Sequence, residues 1–237
     1  MSGDSYDIDD RNRARRMGKR AHYDRATVHA ILDAALLCHI AYVIDGQPYC
    51  TPTAFWREGE TLYWHGSSAS RMLRATGDGV PVCLTVTHMD GLVMARSGFN
   101  HSVNYRSVMA FGRAARIEDE AAKLRAMDAF IERYFPGRPA RLRAATAQEV
   151  KATAILAMDI EQASAKVRAA PPGDDEDDFA LDVWSGVIPL RTIIGAAEPC
   201  PRLPAGIAPG ADVARFAAGA VLDDVLAGSA GDPPGAS

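Results

Sequence analysis

The feature that most constrains the fold is a change of hydrophobic period near residue 38. Before it, Asp24 is placed to cap a helix reaching about residue 37, with Val28, Ile31, Leu32 and Ala35 on one face. After it, the period becomes two. Residues 38–44, 49–56 and 61–65 read as strands, separated by the turn pairs Asp45-Gly46 and Glu58-Gly59. Short strands joined by tight turns pair antiparallel with their chain neighbours, so the chain is committed to a meander.

The alternation returns at 80–87 and 91–96, joined at Met89-Asp90-Gly91, and at 103–117, where Gly112 is the expected bend. A short helix is expected over 69–76. Another is expected over 119–134, with Leu124, Met127, Ile131 and Tyr134 as its apolar stripe and Pro136-Gly137 as its stop. A further helix is expected over 147–156, then strands over 158–167 and 183–190. Between these strands PPGDDEDD (171–178) is too acidic and proline-rich for a core. The expected organisation is a polar, mobile arm at 1–23, one domain at 24–195 and an Ala/Gly/Pro-rich extension at 196–237 with one candidate helix at 213–226. The expected fold class is mainly β with flanking helices: an antiparallel barrel of six or seven strands with helices outside.

Composition acts by exclusion. At 237 residues and 48% hydrophobic, the chain can bury one substantial core. A net charge of −4 argues against a nucleic-acid binder with a broad basic face, and RNRARRMGKR (11–20) reads as a solvated tail. No CxxC pair occurs among Cys38, Cys50, Cys83 and Cys200; the first three read as small buried residues. No apolar run approaches the ~20 residues that span a bilayer, and the N-terminus has no apolar leader. A reduced, cytoplasmic protein with no membrane partner is expected.

The chemistry concentrates at TLYWHGSSASRMLRAT (61–76), a strand running into a polar turn and then a short helix. Backbone N–H groups at a helix start, serine hydroxyls and an arginine fork form a receptor for phosphate. Arg71 is the leading candidate, with Ser67, Ser68 and Ser70 before it; the alternative is an exposed helix arginine lying along Trp64. A second stretch, NHSVNYRSVMAFGR (100–113), has a similar mixture. Both point to a phosphate-bearing small molecule. His65 either contacts the ligand or is a satisfied structural histidine, and His101 either lines the site or sits in a surface loop. Trp184 is either core or covers a ring. No HExxH, GxSxG, P-loop or Rossmann signature is present, so no metal site, serine hydrolase or common nucleotide cradle is expected.

LYWHGSSASRML (62–73), TVTHMDGLVMARSGFNHSVNYRSVMAFGRA (85–114), YFPGR (134–138), SAKVRAAPP (164–172) and VWSGVIPL (183–190) occur together and in order. The chain thereby resembles the flavin-nucleotide-binding branch of the pyridoxamine 5′-phosphate oxidase-like superfamily. The resemblance implies an FMN-binding split barrel and a homodimer with FMN at the subunit interface. It implies that Ser70 and Arg71, in the turn from Ser67 to Met72, contact the phosphate. His65 and Gly66 stand beside the ribityl chain or ring, and Thr53, Ala54 and Phe55 run along the isoalloxazine. Tyr105 and Ser107 contact the flavin from the second subunit, and Trp184 closes the site. Substrate stacks near Trp64, Trp184 and His101.

Two departures stand out. Met72 stands where the true oxidases follow the arginine with a phosphate-binding lysine, and after Trp184 the chain has Arg191 but no histidine to complete their Arg-x-His motif, which argues against pyridoxamine phosphate as substrate. The expectation is an FMN-dependent oxidoreductase acting on an unidentified small molecule. The alternatives are a flavin carrier, store or sensor, a nitro-aromatic reductase, or a haem or deazaflavin binder with His65 or His101 as the axial candidate.

Overall fold

A computed structural model describes residues 3–228. β1 (Ala21–His22) precedes α1 (Arg25–Asp33), whose first turn is capped by the Asp24 side chain accepting from the Thr27 N–H. β2 (Leu37–Ile44), β3 (Gln47–Glu58) and β4 (Thr61–Ser67) form the expected meander. The β2–β3 turn is left-handed at both Asp45 (φ 50°) and Gly46 (φ 78°), the geometry that suits Asp-Gly hairpins. α2 (Arg71–Thr76) follows. β5 (Asp78–Met94) and β6 (Ser102–Arg116) are the longest strands, and α3 (Glu120–Tyr134) is capped by Asp119. α4 (Ala147–Ala152), β7 (Thr153–Asp159), β8 (Gln162–Arg168), β9 (Gly186–Pro189), α5 (Ala211–Ala214) and α6 (Leu222–Ala227) complete the chain.

The sheet order is β1-β8-β6-β7-β4-β3-β2-β5-β9, and a further β6–β5 pairing closes six strands into a ring. β8 pairs with β6 over Tyr105 to Phe111, and β7 takes over at Ala114. Leu32, Ile40, Phe55, Leu62, Trp64, Leu84 and Met158 fill the ring. A second apolar cluster outside it joins Trp56, Ile155, Ala126, Tyr134 and Leu226, sealing α3 and the C-terminal segment onto the barrel.

Several expectations are corrected. The two strands at 80–87 and 91–96 are one strand with a register shift between Met89 and Gly91, a bulge rather than a turn. Gly112 lies where β6 passes from β8 to β7, and a Cβ there would lie 2.6 Å from Met158 Cγ, so close strand approach requires glycine. The helix at 147–156 stops at Ala152, because residues from Thr153 onward pair with β4. The strand at 158–167 is the end of β7, a turn and β8. The candidate helix at 213–226 is instead two short helices.

The arm at 1–23 is docked where it is described. Tyr6 and Asn12 are buried, Asn12 Nδ2 donates to the Ala163 carbonyl, and β1 pairs with β8. Cys50, expected to be buried, is exposed. No helix among the described residues is long and apolar enough to cross a membrane.

Candidate functional site

Ser67 ends β4, and its hydroxyl accepts the Ala69 N–H at 3.2 Å. The Ser68 N–H donates to the Ala152 carbonyl at 2.8 Å, pinning the turn to α4. Ser70 is the N-cap of α2, yet its side chain makes no capping bond. The first-turn N–H groups therefore have no side-chain acceptor from Ser70. Arg71 is exposed and makes no ion pair among the described residues; its guanidinium lies 4.5 Å over the Tyr49 ring, not along Trp64. A fork held by an aromatic face and free of carboxylates suits a phosphate.

β3 pairs with β2 over Gln47 to Ala54, but with β4 only from Phe55 onward. Among the described residues, the edge of residues 47–54 away from β2 has no strand partner, so alternate N–H and C=O groups face outward there. Thr53 and Ala54 lie on this edge. Phe55, Trp64 and Met72 are core residues with exposures of 1%, 0% and 6%, so their side chains do not reach a ligand. The expected stacking of substrate near Trp64 is corrected accordingly. Gly66 sits over Leu73, where a Cβ would approach Leu73 Cδ1 to 3.0 Å.

His65 points to the outside of the ring, against Phe130 (centroids 5.1 Å) and Trp56 (6.1 Å). Its Nδ1 is buried without a hydrogen-bond partner, and Nε2 makes no bond either among the described residues. Burial pulls its pKa below the ordinary imidazole value, so the ring is neutral at pH 7. Its register partner on β7 is Ile155, which also lines a groove of about 690 Å³. Leu124, Met127 and Ile131 of α3 form one wall and Leu142 and Val150 the other, with Lys123 and Arg143 among the lining residues. Three residues of the expected apolar stripe on α3 thus line a groove, with Leu124 41% exposed, while its fourth, Tyr134, is buried in the second cluster.

The remaining candidates stand elsewhere. His101 Nδ1 approaches the Ser97 carbonyl at 2.9 Å in an exposed turn. Tyr105 and Ser107 are half-buried, with no hydrogen bond from either side chain among the described residues. The strand registers place Ser107 three strands across from Tyr49 and five residues along, on the order of 17 Å along the strands. Arg71 and Ser107 of one chain therefore do not line one small ligand together. Trp184 is 63% exposed. Its indole covers Gly186, where a Cβ would lie 2.8 Å from Cζ2, and Ser185 anchors the segment by donating to Asp174 at 2.7 Å. Tyr49 and the α3 groove are additions that sequence reasoning missed. Among the described residues no cluster of His, Cys, Asp and Glu has the makings of a metal site.

Residues 24–167 match the sequence profile of the pyridoxamine 5′-phosphate oxidase family. No curated protein matches the chain. Among solved structures, the flavocytochrome Anf3 from Azotobacter vinelandii is 45% identical, with a TM-score of 0.83 over 89% of this chain and 98% of that one. An FAD- and haem-binding protein from Mycobacterium smegmatis is 38% identical, with a TM-score of 0.81 over 86% of this chain and 98% of that one. The expectation of FMN is overturned by these relatives, one a flavocytochrome and the other a binder of FAD and haem. The ring of antiparallel strands, the matching profile and the two relatives agree: the chain belongs to the pyridoxamine 5′-phosphate oxidase family, with its split-barrel fold.

Proposed function

We propose that this chain is a redox protein that binds FAD and haem. The observation that carries the reading is His65, a neutral imidazole whose ring nitrogens have no partner among the described residues and whose register partner Ile155 lines a mainly apolar groove. Identity of 45% to a flavocytochrome and 38% to an FAD- and haem-binding protein supports it.

The residues fit both groups. For FAD, Arg71 and Ser70 hold a phosphate beside the turn, and the unpaired edge of β3 at Thr53 and Ala54 meets the polar rim of the flavin with backbone groups. Haem would be held by His65, whose register partner Ile155 lines the groove, with Met127, Ile131 and Leu142 as the apolar lining. Lys123, which makes no ion pair among the described residues, suits a haem carboxylate. The volume lies in the range of small-molecule sites. Bound together, the two groups supply two-electron and one-electron redox chemistry. Burial of His65 keeps its ring nitrogen unprotonated, which ligation of iron requires.

The assembly that suits this reading is a homodimer. Leu37, Val43, Met89 and Met109 are exposed apolar residues on the strands, with values of 61%, 57%, 49% and 45%. Tyr105 and Ser107 then serve the flavin held by a second copy, which accounts for their distance from Arg71. An oxidoreductase acting on a small molecule is the activity such a site supports.

Extraction and mass identification of the chromophores of the purified protein test the proposal. FAD and haem together are expected. FMN alone, or a colourless protein that takes up neither FAD nor haemin, contradicts it.

A further inference from the structure

Among the described residues, the charged residues buried as a whole are Asp33, Arg168 and Asp212, and the side chain of Asp174, paired with Arg96, is 2% exposed. Asp33 meets Arg57 and Arg133, and Asp212 meets Arg138 and Arg141. Arg168, at the end of β8, is 7% exposed and meets no carboxylate. Its Nη1 donates to Asn104 Oδ1 and to the Ala170 carbonyl (3.0 Å), and Nη2 donates to the Pro171 carbonyl (3.2 Å). Its Nε is buried with no acceptor. An unpaired buried charge is expensive, and a protein that pairs its buried carboxylates with arginines has left this one open. Burial and the nearby Arg20 pull its pKa down, the mark of a cation lacking its counter-charge.

More positive charge gathers at the same place. Arg20 belongs to the 3-10 turn Gly18–Arg20, which packs on β8. Lys166, two residues before Arg168, is in register with Ala21 on one side and Ser107 on the other. Lys19, Arg20 and Lys166 make no ion pair among the described residues. Tyr105 is in register with Arg168. Cations without carboxylates, two hydroxyl side chains and an orphaned guanidinium N–H describe a site for a phosphate-bearing group.

We propose that Arg168, Arg20 and Lys166 form an anion subsite that receives the adenylate half of FAD, with the second of its two phosphates. The assignment rests on the flavin reading above. FAD carries one phosphate and one adenosine more than FMN, and the turn at 67–71 provides for a single phosphate. Because that turn and this cluster stand at opposite ends of the strands in one chain, one FAD draws on Arg71 of one copy and Arg168 of another.

The test is a comparison of FAD and FMN dissociation constants for the full chain and for the Arg20→Ala/Lys166→Ala double variant. Both substituted residues are at least partly exposed, so the fold is preserved; Arg168→Gln serves as the second variant. The wild type is expected to bind FAD at least about tenfold more tightly than FMN, and the variants to lose that preference with FMN affinity unchanged. Equal affinity of the wild type for both flavins overturns the proposal, and so does a preference that survives in the variants. A fall in haemin affinity with the FAD preference intact also overturns it, by transferring the cluster to the haem carboxylates. If the wild type binds neither flavin, the flavin reading fails and inorganic pyrophosphate and AMP become the probes. A rise in Tm that the double variant loses then keeps the anion subsite, and no rise removes it.

Discussion

Two cavities of similar size flank the barrel, one of about 690 Å³ lined by Ile155, the register partner of His65, and one of about 620 Å³ lined by His88, and the two histidines differ in how their ring nitrogens are matched. His88 lies between two acceptors, with Nε2 3.1 Å from the Ile31 carbonyl and Nδ1 3.3 Å from Asp223. Arg106 beside it donates to Asp90 and, at 2.7 Å, to Asp223; these bonds push its pKa up. The central charges of that pocket satisfy one another, and Asp223 belongs to the C-terminal segment that they hold in place. The groove lined by Ile155, the register partner of His65, is mainly apolar, with Lys123, Asp128, Arg143 and Glu149 also in its lining, and the His65 ring has no hydrogen-bond partner among the described residues. Volume alone does not separate the two. What separates them is whether the polar atoms are already matched, because an unmatched buried group is costly unless a ligand completes it.

The contrast breaks most visibly if the apolar wall does not matter. Met127→Glu places a charge in the groove and is expected to lower haemin affinity by at least about a hundredfold, some 3 kcal/mol, with FAD affinity unchanged. Optical titration of each group checks it, and an unaltered haem titration means that the groove is not the haem site. Next in size is Arg71→Ala, which removes a charge-assisted phosphate contact of about 1.5–3 kcal/mol, a loss of roughly 10- to 150-fold in FAD affinity. Unchanged affinity in a folded variant takes Arg71 out of the site.

On the matched side, Asp223→Asn is expected to lower stability by about 1–2 kcal/mol in denaturant unfolding and to leave both cofactor titrations unaltered. A change in either titration would make the second pocket functional. The smallest effect is that of pH on His29. Burial and Arg57 hold its pKa below the ordinary value, against the pull of Glu60. The unfolded chain then binds more protons below about pH 6.5, so stability falls as pH drops through that value. His29→Gln is expected to flatten this slope in Tm measured from pH 5 to 8.

Much of the fold was legible because local signals and tertiary pairing agree there. The alternation after residue 38, Asp45-Gly46 and the Asp24 and Asp119 caps each name their own element. Legibility failed where a partner strand decides. Thr153 and Ile155 continue a helical pattern yet are claimed by β4, and Asp90-Gly91 is a turn pair that β6 holds as a bulge. The turn carrying Ser70 and Arg71 was readable from residue types alone. The groove was not, since Leu124, Met127 and Ile131 look the same in sequence whether they face a core or a ligand. Nor was Arg168, whose meaning depends on the absence of a carboxylate partner among the residues around it. The FMN expectation came from resemblance to the wider family, and no motif in the chain distinguishes one flavin nucleotide from the other.

The most direct test of the account is an optical titration of the apoprotein with haemin, comparing wild type with His65→Ala at equal FAD loading. A sharp, shifted haem absorption band in the wild type and only weak, unshifted binding in the variant, with FAD retained in both, is the predicted result. An identical band in the two proteins would contradict the assignment of the unpartnered imidazole as the ligand that marks this site.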